Sequence, residues 1–183
     1  MSWDIVNSIN QQIPDDNDVI LWNLGDIYFG PTLSTKDLSL LQEFVKIMKG
    51  KHRRLNLVLG NHDRPFIQTI MNLGFDYIYD YPMLINQRYI LSHEPVFLSD
   101  NQFINIHGHT HQKYVGSDYF CWVLENKEMV VKAYKDAHRK CPFDPELKKA
   151  NWQQLIVNPT QYKNICWDAN NYKVLNLWEI MDN

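Results

Sequence analysis

An α/β sandwich is the fold class this sequence predicts, and three observations predict it. In the first half, short apolar runs alternate with segments whose apolar residues recur at helical spacing. Further on, strand-like runs follow one another across short turns. Third, 183 residues with 45% apolar and 21% charged side chains suit one domain with a sizeable core. Strands separated by helices, followed by paired strands, build a layered α/β architecture.

Taken in order, Trp3, Val6, Ile9 and Ile13 recur at helical spacing until Pro14-Asp15-Asp16-Asn17 breaks the pattern. The apolar run Val19 to Leu24 then reads as a buried strand. Ser34 is placed to cap a helix carrying Leu38, Leu41, Val45 and Met48 and closed by Gly50, after which Leu55 to Leu59 reads as a second buried strand. A further helix, begun by Pro65 and ended by Gly74, leads to a strand near Tyr77. Met83 to Ile85 and Tyr89 to Ser92 flank Asn86-Gln87 as a hairpin, and Phe103 to Ile106 is a short strand entering a histidine-rich turn. Within a single domain spanning 1–183, a Lys-rich stretch at about 127–154 is expected as a helical insertion, two pieces around Cys141-Pro142-Phe143-Asp144-Pro145. The tail, Ile165 to Asp168 followed by Val174 to Leu177, reads as a closing hairpin. No repeat, low-complexity tract or interdomain linker is evident.

Composition excludes several classes of function. No apolar run approaches the roughly 20 residues that cross a bilayer, and Met1-Ser2-Trp3-Asp4 lacks the basic start of a secretion signal. No membrane partner is expected. Cys121, Cys141 and Cys166 are few, odd in number and widely spaced, which fits reduced thiols in a cytoplasmic protein. A net charge of −3 argues against nucleic-acid binding by bulk charge. Lys132, Lys135, Arg139, Lys140, Lys148 and Lys149 fit a solvated face better than a nucleic-acid contact, which leaves nucleic acid as a weakly supported partner and nucleic-acid processing as the weakest of three readings. His52 and His138 read as solvated helix-end residues, and His107 as a supporting residue.

The chemistry is concentrated in four short motifs: Gly25-Asp26, Gly60-Asn61-His62-Asp63, Ser92-His93 and Gly108-His109-Thr110-His111. Five of the seven histidines lie between His62 and His111, a density that packing alone does not explain. Each motif follows an apolar run, so its side chains emerge where loops from neighbouring strands converge on one crevice. Carboxylate and amide oxygens mixed with imidazoles suit manganese, iron or zinc better than calcium. If the last motif continues a strand, alternation points His109 and His111 the same way. Arg64 is placed equally well for a phosphate contact or a surface role.

In order and spacing the set resembles the calcineurin-like metallophosphoesterase family, and the tail is similar to the last strands of its small bacterial and phage branch. The resemblance implies a sandwich of two β-sheets flanked by helices, incomplete at the amino terminus. It also implies a hydrolase in which metal-activated water attacks a phosphomonoester or phosphodiester. Asp26 would bridge the ions, most readily manganese. Asn61, His93 and His109 would complete one shell, and His111 would serve the other. His62 matches the family's histidine that protonates the leaving oxygen, with Asp63 as its orienting carboxylate. This sequence departs from the family in having no Asp-x-His motif ahead of Asp26, which leaves one ion with only Asp26 and His111. A catalytically impaired relative, binding one metal and a phosphate or nucleotide as a regulatory or interaction module, is the alternative expectation.

Overall fold

The computed structural model describes residues 3–96, 98, 101–111, 126–136, 159–166, 174–177 and 180. Two sheets form the frame. In the first, β1 (Ile20–Asn23), β2 (Arg54–Val58) and β3 (Tyr77–Tyr79) run parallel in the order β1-β2-β3. In the second, β4 (Met83–Ile85) is antiparallel to β5 (Tyr89–Ser92), while β5, β6 (Ile104–His107) and β7 (Tyr162–Asn164) are parallel. The α/β sandwich expected from the sequence is the fold observed.

Strand alternation explains how β2 serves two cores. Leu55, Leu57 and Leu59 pack with Val6 of α1 (Trp3–Gln12) and with Leu41, Phe44, Val45 and Met48 of α2 (Thr35–Lys49). Val58 points to the opposite face and meets Leu24, Tyr89, Leu91 and Ile106 between the sheets. β2 is buried from Leu55 to Val58 and pairs on both edges, so it takes the centre of the first sheet, as parallel strands covered on both sides do.

Local chemistry fixes the connections. Ser34 and Asp37 form a reciprocal capping box at the start of α2, and Gly50 closes that helix with φ 58°. Asp15, in the turn that ends α1, accepts the backbone N–H groups of Lys51 and His52 and so ties the exit of α2 to the entry of β1. Asn86 and Gln87, at φ 50° and 56°, supply the left-handed pair that matches a two-residue hairpin turn to the strand twist.

Four local expectations are corrected. The run Val19 to Leu24 yields an edge strand, with Ile20 exposed and Leu21 to Asn23 half-buried, because nothing among the described residues pairs with its outer side. The helix expected from Pro65 to Gly74 is one 3-10 turn, Arg64–Phe66, followed by α3 at Ile67–Ile70. Strand β6 ends at His107, so 108–111 is a turn and strand alternation does not orient His109 and His111. In the tail, the strand is Tyr162–Asn164 and 174–176 is not strand, with Ile180 N–H bonding to the Asn176 carbonyl; residues 167–173 of the expected hairpin lie outside the described residues. Of the Lys-rich stretch, α4 covers Lys127–Asp136 and exposes Lys132 and Lys135, while residues 137–158 lie outside the described residues.

Candidate metal centre

The carboxyl ends of β1, β2, β5 and β6 deliver Asp26, Asn61, His93 and His109 to one crevice between the sheets. His93 lies at its middle. Its Nε2 is 3.0 Å from Asn61 Oδ1, 3.0 Å from His109 Nδ1 and 3.2 Å from Asp26 Oδ2. Its Nδ1 lies 2.6 Å from the Leu24 carbonyl, which can only accept, so Nδ1 carries a proton. In the neutral tautomer Nε2 therefore presents a lone pair to two oxygens and a nitrogen. A cation bound there would satisfy that lone pair and the two oxygens together. Donors bound about 2.1 Å from one ion lie roughly 3 Å from each other, which is the spacing found here.

Electrostatics draw positive charge to the same point. Burial opposes charge on His93, but the hydrogen bond and negative charge of Asp26, helped by the Leu24 carbonyl, outweigh it and raise its pKa. Burial likewise opposes ionisation of Asp26, yet His93 and the His62 N–H hold its pKa below the usual carboxylate range. His109 is held low by burial and then by the neighbouring His93 charge, as a neutral ligand should be. A carboxylate, an amide oxygen and imidazoles around a point that attracts positive charge are a donor set that fits a transition metal.

The backbone is bent to hold this arrangement. Asp26 and His109 sit at φ 56° and 65°, conformations that cost side-chain-bearing residues about 1–3 kcal/mol each and collect at functional sites. Gly25, at φ 94°, has no such freedom to be replaced. A Cβ there would come within 2.6 Å of His93 Nδ1 and 2.5 Å of the Gly60 nitrogen.

Asp63 secures the two ligand loops to one another. Its Oδ2 accepts the N–H groups of Asp26 (2.7 Å) and Gly60 (2.9 Å), and its Oδ1 accepts that of Ile27 (3.0 Å). The side chain is fully buried. Burial raises its pKa, and the N–H donors of Gly60 and Asp26 oppose that rise. Its hydrogen bonds thus serve the loop backbones, where the sequence suggested an orienting contact with His62.

His62 is half-buried beside the group, and its backbone N–H donates to Asp26 Oδ1 at 3.0 Å. His111 is exposed and is not among the residues whose ligand atoms converge. Its N–H donates to Cys166 Sγ and its carbonyl accepts from Asn164 Nδ2. Arg64 is engaged with the Asp80 carboxylate and carbonyl, and His52 is exposed. His107 is buried with Nδ1 at its neighbour's carbonyl, and burial pushes its pKa down to about 4.

Two supporting residues escaped the sequence reading. Asn105 is fully buried, donates to the Ile90 carbonyl and Ser92 Oγ, and accepts the Val96 N–H, so it braces the loop that carries His93. Asn164 donates to Thr110 Oγ1 and the His111 carbonyl and braces the last ligand turn. A lone Asn inside the apolar run Ile104-Asn105-Ile106 was the available signal for the first of these.

The model of the calcineurin-like phosphoesterase family matches residues 2–179, and the chain belongs to that family. Comparison with curated proteins gives no match. Among solved structures, the chain is similar to the crystal structure of Pseudomonas putida nuclease MPE, with 26% identity and a TM-score of 0.42. That similarity covers 50% of this chain and 44% of the nuclease chain. No helix among the described residues is long and apolar enough to cross a membrane.

Proposed function

We propose that this chain is a metal-dependent hydrolase of phosphomonoesters or phosphodiesters, holding one divalent ion, most readily manganese, on Asp26, Asn61, His93 and His109. The observation that carries the reading is the approach of three potential ligand atoms within 3.2 Å of His93 Nε2, with its Nδ1 committed to the Leu24 carbonyl. When bound, the ion supplies Lewis acidity toward the phosphoryl oxygens and lowers the pKa of the attacking water. The chain's own groups supply the rest. His62, beside the ligand group, donates the proton taken by the leaving oxygen, and its backbone N–H holds Asp26 in the ligand geometry. Asp63 acts as a positioning residue by fixing both ligand loops.

The test is turnover of an aryl phosphate and an aryl phosphodiester by manganese-loaded protein, with His109→Ala as the control. Metal-dependent release of the aryl alcohol, lost in the control, supports the reading. Metal bound at full strength without turnover of either ester supports a second reading, a binding or regulatory module. The exposure of His111, outside the converging group, is what favours that second reading, since it leaves the described residues with ligands for one ion.

A further inference from the structure

The loop that follows Asp26 handles three consecutive large side chains differently. Ile27 is buried in the core. Tyr28 is pinned, its hydroxyl donating to the Thr32 carbonyl at 2.6 Å and its ring standing edge-on to Phe66 with centroids 5.6 Å apart. Phe29, between these anchors and Gly30-Pro31, is 79% exposed. Its ring centroid nonetheless lies only 4.1 Å from that of His62, with the planes inclined by 52°. A single exposed apolar side chain is ordinary on a protein surface. One held out of the core by anchored neighbours, and in contact with the residue proposed to protonate the leaving group, has a specific use.

We infer that Phe29 is a stacking platform for a nucleobase carried by the leaving alcohol, which makes nucleoside phosphate esters the substrate class. The inference rests on the reading of His62 as the proton donor. In the hydrolysis, water oxygen bonds to phosphorus as the ester P–O bond breaks. The leaving oxygen takes a proton from His62, and the attacking water gives one up to solvent. The departing alcohol therefore emerges at the imidazole, where the open part of the Phe29 ring is the adjoining surface. A phenyl ring offers no donor or acceptor, so it binds any base through its π-face and reads no particular one. Arg64 is engaged with Asp80, so an exposed aromatic rather than a free guanidinium borders His62 on this loop pair.

The test compares adenosine 5′-monophosphate with ribose 5-phosphate, which share a primary alcohol leaving group and differ in the base. Manganese-loaded protein and the variants Phe29→Ala, Phe29→Leu and Phe29→Trp are measured for kcat/KM on each, and for binding by calorimetry. The wild-type chain should prefer the nucleotide by about tenfold or more. Alanine and leucine should abolish that preference, and tryptophan should keep it. Leucine restores apolar packing on His62 without a π-face, so a preference retained in Phe29→Leu, or absent from the wild-type chain, overturns the inference. If no ester is turned over, the hydrolase reading fails, and the calorimetric preference still decides the role of Phe29 by the same criteria.

Discussion

Replacing Asp63 by asparagine probes how the two ligand loops are joined. The carboxylate accepts three buried N–H groups, two on Oδ2 and one on Oδ1. An asparagine can place its single oxygen at the Oδ2 position and keep the bonds to Asp26 and Gly60. Its amide then faces the Ile27 N–H, donor against donor. Orphaning that buried donor costs about 1–3 kcal/mol, and weakening the two remaining bonds from charged to neutral adds roughly 1 kcal/mol. Relief of the buried charge offsets part of this, since burial already raises the Asp63 pKa. A net loss of about 2–3 kcal/mol is expected, a large fraction of the roughly 5–15 kcal/mol that holds a domain folded. Urea unfolding followed by the fluorescence of the six tryptophans measures the loss, and manganese calorimetry on the same variant should show weakened binding as Asp26 shifts. A stability change under about 0.5 kcal/mol with unaltered metal affinity would refute the reasoning, and would mean that Asp63 is a neutral acid rather than the carboxylate that clamps the loops.

Three more outcomes follow from the same structure. Asn61→Ala removes one of the donors around His93 Nε2 and should weaken manganese binding by at least tenfold without unfolding the chain, as calorimetry and circular dichroism would report. His62→Ala should lower turnover of an unactivated ester by about a hundredfold or more while metal content stays nearly constant, because the bond from residue 62 to Asp26 comes from the backbone and survives. Asp76→Asn tests the pH dependence: burial opposes its ionisation, but the Leu55 N–H at 2.7 Å and Lys49 at 2.9 Å lower its pKa. A lowered folded-state value means stability present above the unfolded pKa near 3.9 and lost as pH falls through the folded value. The variant should therefore be less stable by about 1 kcal/mol at pH 7, and the difference should shrink in acid-unfolding curves as pH falls below the unfolded value.

Much of the fold was legible because the determinants are local. The spacing of Leu41, Val45 and Met48 and the Ser34 cap define α2, and Asn86-Gln87 defines the hairpin, without help from distant residues. Where the sequence reading went astray, the deciding interaction is long-range or a matter of backbone strain. Val19 to Leu24 has the composition of a central strand, but its place at the edge of the sheet formed by the described residues depends on what pairs beside it. His109-Thr110-His111 looks like a continuing strand, yet left-handed backbone at both histidines turns the chain away after His107. The converging set of Asp26, His93 and His109 was readable from residue types and order. The service of Asp63 to backbone groups 36 and 37 residues away was not, since a carboxylate gives no sign in sequence of which N–H groups it will meet.

The central claim is that one divalent ion sits among Asp26, Asn61, His93 and His109. Anomalous scattering from crystals grown with manganese tests it most directly. The account predicts a peak about 2.1–2.3 Å from Asp26 Oδ2, Asn61 Oδ1, His93 Nε2 and His109 Nδ1. A crevice without a peak at saturating manganese, or a peak whose ligands exclude His93, would contradict it.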